Sequence, residues 1–112
     1  MDYNNSDIII ACATPIGNAA LAVIRISGED ILDDISKFFS INKLKPRYVY
    51  VGTLKSPNNN QSLDKCVVTY FAAPKSYTGE NMVEISCHGG TSLVEHIINE
   101  FVLFGYRVAY PG

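Results

Sequence analysis

Apolar residues recur along this chain with two different periods, and the switches between them mark out eight elements. Two compact apolar runs, 7–13 and 19–26, are separated by the turn residues Thr14, Pro15, Gly17 and Asn18 and predict a pair of strands. Ser27, Gly28, Glu29 and Asp30 then read as an N-cap with an acidic first turn. Ile31, Leu32, Ile35, Phe38 and Phe39 follow at helical spacing, giving a helix to about Ser40 with its stripe in the core. Beyond Pro46 the period falls to two. Over 47–54, Tyr48, Tyr50, Gly52 and Leu54 share one side and Val49, Val51 and Thr53 the other, so both faces are fairly apolar, which implies cover on both sides or an exposed face used for association. The polar segment 56–62 predicts a mobile hairpin connection without chemistry, 63–73 the return strand, and 75–80 a loop. Leu93, Val94, Ile97, Ile98, Phe101 and Phe104 mark a second helix over 92–104, stopped by Gly105, and 106–110 is a last strand. The order strand, strand, helix, three strands, helix, strand points to an α+β fold, a mixed, mainly antiparallel sheet with two helices packed on it.

The stretch 77–90, YTGENMVEISCHGG, gathers most of the interesting polar groups. Alternation over 82–88 places Val83, Ile85 and Cys87 on one face, expected to be core, and Met82, Glu84, Ser86 and His88 on the other. Gly89 and Gly90 allow a sharp turn, and Ser92 with Glu95 has the spacing of a capping box at the helix entrance. In the second strand Arg25 is a lone charge among apolar neighbours. A buried, unpaired guanidinium is costly and does not escape by losing its proton, so Arg25 calls for an acidic partner or ligand, unless it reaches solvent at a strand end. If the two strands are neighbours, Arg25 and Glu84 meet on one sheet face, either as a structural ion pair or as two ends of a ligand clamp. A carboxylate accepts two parallel N–H bonds from a flat edge, which arginine offers and so does the amino-pyrimidinone edge of a pterin. His88 is expected in a hydrogen-bonding or orienting role.

Composition narrows the classes. A chain of 112 residues, 47% hydrophobic, suffices for one domain with a real core. Residues 1–6 read as a disordered lead and 7–112 as the domain. No apolar run approaches a membrane span and the N-terminus is polar and acidic, so no membrane association and a cytoplasmic location are expected. Cys12, Cys66 and Cys87 are an odd number without close pairing, which favours reduced, mostly buried thiols and neither a disulfide framework nor a metal site. A net charge of −2 offers no broad electrostatic footprint for direct tRNA binding.

The segments 7–28, DIIIACATPIGNAALAVIRISG, and 77–90 together resemble the amino-terminal domain of the MnmE or TrmE family of bacterial tRNA modification GTPases, in the same order and through the closing Tyr110, Pro111 and Gly112. The resemblance implies a fold similar to the folate-binding domain of aminomethyltransferases, homodimer formation, and binding of 5-formyl- or 5,10-methylene-tetrahydrofolate near the dimer interface. Carried over by motif, Glu84 holds the folate head group, Arg25 is a second ligand contact, and His88, Gly89 and Gly90 line the pocket. The family also uses a reactive cysteine in a segment further along, which none of the three cysteines here replaces. In the parent protein the resemblance implies GTP hydrolysis with magnesium and potassium, a flavin-containing partner of the MnmG or GidA type, and modification of carbon 5 of the wobble uridine of tRNA through the full assembly. The chain itself contains no GxxxxGK[ST] phosphate loop and is expected to be a non-catalytic fragment. The competing expectation is a structural dimerisation or interaction module in which Arg25 and Glu84 form only an internal ion pair.

Overall fold

The computed structural model describes residues 7–14 and 20–109. Among them, six strands and two helices follow in the expected order: β1 (Ile9–Cys12), β2 (Leu21–Ser27), α1 (Ile31–Phe38), β3 (Val49–Lys55), β4 (Ser62–Phe71), β5 (Met82–His88), α2 (Thr91–Phe104) and β6 (Arg107–Val108). The expected lead over 1–6, most of the first turn and the closing 110–112 lie outside the described residues. The strands form one sheet in the order β3-β4-β5-β2-β1-β6, antiparallel throughout except for the parallel pairing of β1 with β6. This is the mixed, mainly antiparallel α+β architecture that the periodicity predicts.

One sheet face and the helices share a single core. Ile10, Ala22, Ile24, Ile26, Val68, Val83 and Ile85 are buried there with Ile31, Ile35 and Phe38 of α1 and Val94, Ile97 and Phe101 of α2. Aromatic rings lock the helix layer: Phe38 meets Phe101 edge-on at 5.0 Å, and Phe101 stacks on Tyr106 at 5.5 Å. Both helices start differently from the expectation. α1 is preceded by Asp30 without a side-chain cap bond, because Ser27 belongs to β2 and its hydroxyl is engaged elsewhere. α2 begins at Thr91 after Gly90, whose φ of 103° favours glycine, so Ser92 lies inside the first turn and the capping box with Glu95 does not form. Gly105, at φ 120°, ends α2 as expected and donates to the carbonyls of Phe101 and Val102.

Among the described residues, the opposite face of the sheet carries no helix. On it Val49 and Val51 of the edge strand β3 are 67% and 71% exposed, and Leu21 of β2 is exposed too. Met82 and Ser27, opposite each other in the β2–β5 register, lie on this face by alternation and yet are buried. The hairpin 56–62, expected to be mobile, is tied to α2, since Asn58 Nδ2 donates to the Glu100 carbonyl at 2.7 Å and the Ser56 hydroxyl donates to the Glu100 carboxylate.

Candidate functional site

The antiparallel register of β2 with β5 sets Arg25 directly opposite Glu84 on the helix-free face. Arg25 Nε donates to Glu84 Oε2 at 2.9 Å, with the two side chains 30% and 28% exposed. The ring of Tyr77, itself largely exposed, covers the guanidinium at 4.3 Å. Among the described residues only Nε of Arg25 is engaged in a hydrogen bond, so its two terminal nitrogens are the donors left for a further acceptor.

Beside this pair is a cavity of about 600 Å³. Its floor is Ile9 and Ala11 of β1 with Arg25 and Ser27 of β2, all on the helix-free face by register. Tyr77, Thr78 and Glu80 form a wall, and Cys12, Ala13, Thr14 and Ala109 close one end. Most of that surround is apolar, so its few polar groups set what can bind. Ser27 is buried, with its hydroxyl 2.7 Å from Thr78 Oγ1 and donating to Glu80 Oε1 at 3.2 Å. The loop that supplies Tyr77, Thr78 and Glu80 is anchored by Asn81. Its Nδ2 donates to the Glu29 carbonyl at 2.9 Å, its Oδ1 accepts from the Ala73 N–H and the Tyr70 hydroxyl, and its carbonyl accepts from Gly28 N–H. A guanidinium, a carboxylate and the hydroxyls of Thr14, Ser27, Tyr77 and Thr78 in largely apolar surroundings suit a flat ligand with both hydrogen-bond donors and acceptors.

The residues singled out from the sequence fall into two places. Arg25 is in the cavity floor, while Glu84 stands behind it and does not line the cavity. His88 is four residues further along β5, about 13 Å away at the usual strand rise, opposite Leu21. There its Nδ1 donates to Asp64 Oδ1 at 2.9 Å and its backbone N–H to Asp64 Oδ2 at 2.8 Å, a hydrogen-bonded arrangement that orients an exposed ring. Gly89 donates to the Ala20 carbonyl and Gly90 precedes α2. His88, Gly89 and Gly90 therefore do not line this cavity; the strand that carries them runs away from it. Sequence pattern places Tyr77, Thr78 and Glu80 only in a loop and Ser27 only at a helix entrance; the fold brings all four to the cavity.

Two of the three thiols are buried and poorly placed for chemistry. Burial pushes Cys66 up to about 12 and Cys87 up to about 11, far from a thiolate at neutral pH. A second recess, of about 420 Å³, collects Asp7, Asp30, Asp33 and Asp34. Asp7 there is paired with Arg107 at 2.6 Å, and Asp34 accepts from the Tyr106 hydroxyl at 2.7 Å; burial first, and then this bond, drives the Tyr106 phenol strongly upward. No cluster of three ligating side chains able to hold a metal occurs among the described residues, and no helix there is long and apolar enough to cross a membrane.

Comparison with known proteins matches the chain over almost its whole length. The family described as GTP-binding protein TrmE N-terminus matches residues 8–112. A protein named tRNA modification GTPase MnmE from Aquifex aeolicus is 42% identical over 105 residues, covering 93% of this chain and 23% of that relative. Its namesakes from Syntrophus aciditrophicus and from a Nitratiruptor species are 39% and 37% identical, covering 95% and 100% of this chain and 24% and 25% of theirs. The chain thus spans about a quarter of the length of these relatives, and the quarter it spans matches one family from β1 to the last residue: it belongs to the TrmE N-terminal family, the amino-terminal domain of the tRNA modification GTPase MnmE.

Proposed function

We propose that this domain holds a reduced folate carrying a one-carbon unit, 5-formyl- or 5,10-methylene-tetrahydrofolate, and that it pairs with a second copy of itself. The observation that carries the reading is Arg25, a guanidinium in the floor of an apolar cavity, braced by Glu84 and covered by Tyr77. The cavity volume of about 600 Å³ suits a heteroaromatic head group, and its polar groups supply donors and acceptors of the kind a pterin edge requires. When bound, the folate supplies the one-carbon unit; the chain's own residues bind and orient it.

Self-association is supported by the helix-free sheet face, where Val49, Val51 and Leu21 leave apolar surface in solvent. In the whole protein the proposed setting is a cytoplasmic, magnesium- and potassium-dependent GTPase. With a flavin-containing partner of the MnmG or GidA type, it modifies carbon 5 of the wobble uridine of tRNA, while the chain studied has no phosphate loop of its own. The test is a calorimetric titration of the chain with 5-formyltetrahydrofolate, with Arg25→Ala as control. Saturable binding that the substitution removes is expected. A folded chain that binds nothing at millimolar ligand supports the second reading, a structural module whose Arg25–Glu84 pair, already formed at 2.9 Å, serves only the fold.

A further inference from the structure

A net charge of −2 averages over an uneven distribution. Residues 35–63 carry five of the nine lysines and arginines and none of the eleven aspartates and glutamates, which leaves four cations among all the acids elsewhere. Three of the five, Lys43, Lys45 and Arg47, stand within five positions in the connection between α1 and β3, and all three are exposed. This connection touches the end of β4: Arg47 N–H donates to the Tyr70 carbonyl at 2.8 Å, and the Arg47 guanidinium lies 6.0 Å from the centre of the Phe71 ring. The turn that follows Phe71, where Lys75 N–H donates to the Ala72 carbonyl at 3.0 Å, adds a fourth exposed cation. Among the described residues none of the four forms an ion pair, so their charge faces solvent.

An exposed ring is interleaved with these cations. Lys45 Nζ is 5.6 Å from the centre of the Tyr48 ring, which is 59% exposed. The backbone beneath is held in shape, since Lys45 N–H donates to the Tyr50 hydroxyl at 2.8 Å and Arg47 is kept at a φ of 68°, a strained value for a residue with a side chain. Resting on the tRNA setting proposed above and not on the folate site, we propose that the connection 43–48, together with Lys75, is a contact surface for single-stranded RNA. The cations take successive phosphates, and Tyr48 stacks on a base.

The charge selects a polyanion, and the ring selects among polyanions. Uncompensated lysine and arginine gain from a phosphodiester backbone by releasing its counterions. An acidic protein surface would match the charge but offers an exposed tyrosine no flat partner, whereas an unpaired base does. A double helix keeps its bases stacked inside, so Tyr48 favours a loop. No carboxylate within 35–63 opposes the approach, and Glu80, five residues after Lys75, is bonded to Ser27 at the cavity.

The experiment is a titration of the 112-residue chain with a labelled RNA hairpin bearing an unpaired loop, and with heparin, followed by fluorescence anisotropy. With three or four phosphates neutralised, RNA affinity is expected to fall roughly 20- to 50-fold between about 50 and 200 mM salt. Lys45→Gln and Arg47→Gly each lower the slope of log affinity against log salt by about 0.7. Glycine at 47 removes the charge while easing the positive φ, so the loss there is not one of folding. Tyr48→Ser weakens RNA binding about 5-fold or more at unchanged slope and leaves heparin binding as it was. Lys65→Gln, the same charge change at the other end of β4, leaves the slope unchanged. The proposal is overturned if Lys65→Gln acts like Lys45→Gln, if Tyr48→Ser binds RNA like the wild type, or if the wild type binds the hairpin no better than a Lys45→Gln/Arg47→Gly double variant. Failure here in a full-length protein that still modifies tRNA overturns this surface and not the setting, and a chain that binds RNA in this way but no 5-formyltetrahydrofolate overturns the folate reading alone.

Discussion

Replacing Arg25 and Glu84 singly and together measures how much the fold depends on their pair. The geometry is one N–H···O contact of 2.9 Å between side chains that keep 30% and 28% of their surface in solvent. Exposed pairs couple by about 0.2–1 kcal/mol, whereas removing one partner of a fully buried pair costs about 3–5 kcal/mol. A pair about one-third exposed, with one bond and no bidentate fork, belongs near the lower range. We expect a coupling of about 1 kcal/mol from a double-alanine cycle, with each single substitution costing about 1–2 kcal/mol. For a domain of this size 1 kcal/mol corresponds to roughly 4 °C in Tm, well resolved by urea and thermal unfolding followed by circular dichroism. A coupling of about 3 kcal/mol or more would refute this estimate and identify the pair as a desolvated structural element. A coupling near zero would mean that Arg25 is not braced in solution and that its place in the cavity floor has another cause.

Three further outcomes test the rest of the molecule. Phe101→Ala, at a fully buried ring packed between Phe38 and Tyr106, should destabilise the chain by about 3–5 kcal/mol in urea denaturation; a loss below about 1 kcal/mol would mean that the helix layer repacks freely. Cys66 and Cys87 hold their protons more tightly when folded, up to about 12 and about 11, so their stabilising share is complete below about pH 8.5 and is lost as pH rises through 11–12. A thiol reagent at pH 8 should accordingly titrate Cys12 in the native chain and the other two only after unfolding, and fast native labelling of either buried thiol would contradict the packing. Val51→Lys, at a position 71% exposed, should change unfolding stability by no more than about 0.5 kcal/mol while reducing self-association in sedimentation velocity; unchanged association would remove this face as the contact.

Periodicity was sufficient for the architecture because the core uses it without exception on one face. Ile24 and Ile26, Val83 and Ile85, and Ile97 and Phe101 recur at the spacing of their elements and all end in one cluster. Where expectation and structure part, a tertiary contact outweighs a local signal. Ser27 has cap chemistry but is used by the sheet and by Thr78, and Ser92 has capping-box spacing but loses it because Gly90 starts the helix one residue sooner. The polar hairpin 56–62 carries no apolar pattern from which its docking could be read, since Asn58 and Ser56 find Glu100 forty residues or more away.

The Arg25–Glu84 meeting was legible because it follows from parity and a register that burial enforces. A slip of one residue between β2 and β5 would turn Glu84 toward the core among Ile24, Ile26, Val83 and Ile85, where an unpaired carboxylate is prohibitive. Each strand therefore carries its charge on the only face that can accept it, and the antiparallel pairing brings the two charges together. The cavity was not legible, because it does not follow from any one strand. It exists because the loop 72–81 turns back over β2, held by Asn81 against residues about fifty positions earlier, Gly28 and Glu29. That contact brings Tyr77, Thr78 and Glu80 against a floor the sheet had already set. A motif spanning loop and strand thus contributes through both parts in different ways: the strand braces the arginine, and the loop forms the wall. Assigning one role to the whole stretch hides that difference: a substitution at Glu84 reaches the cavity through Arg25, whereas one at Tyr77, Thr78 or Glu80 changes its wall directly.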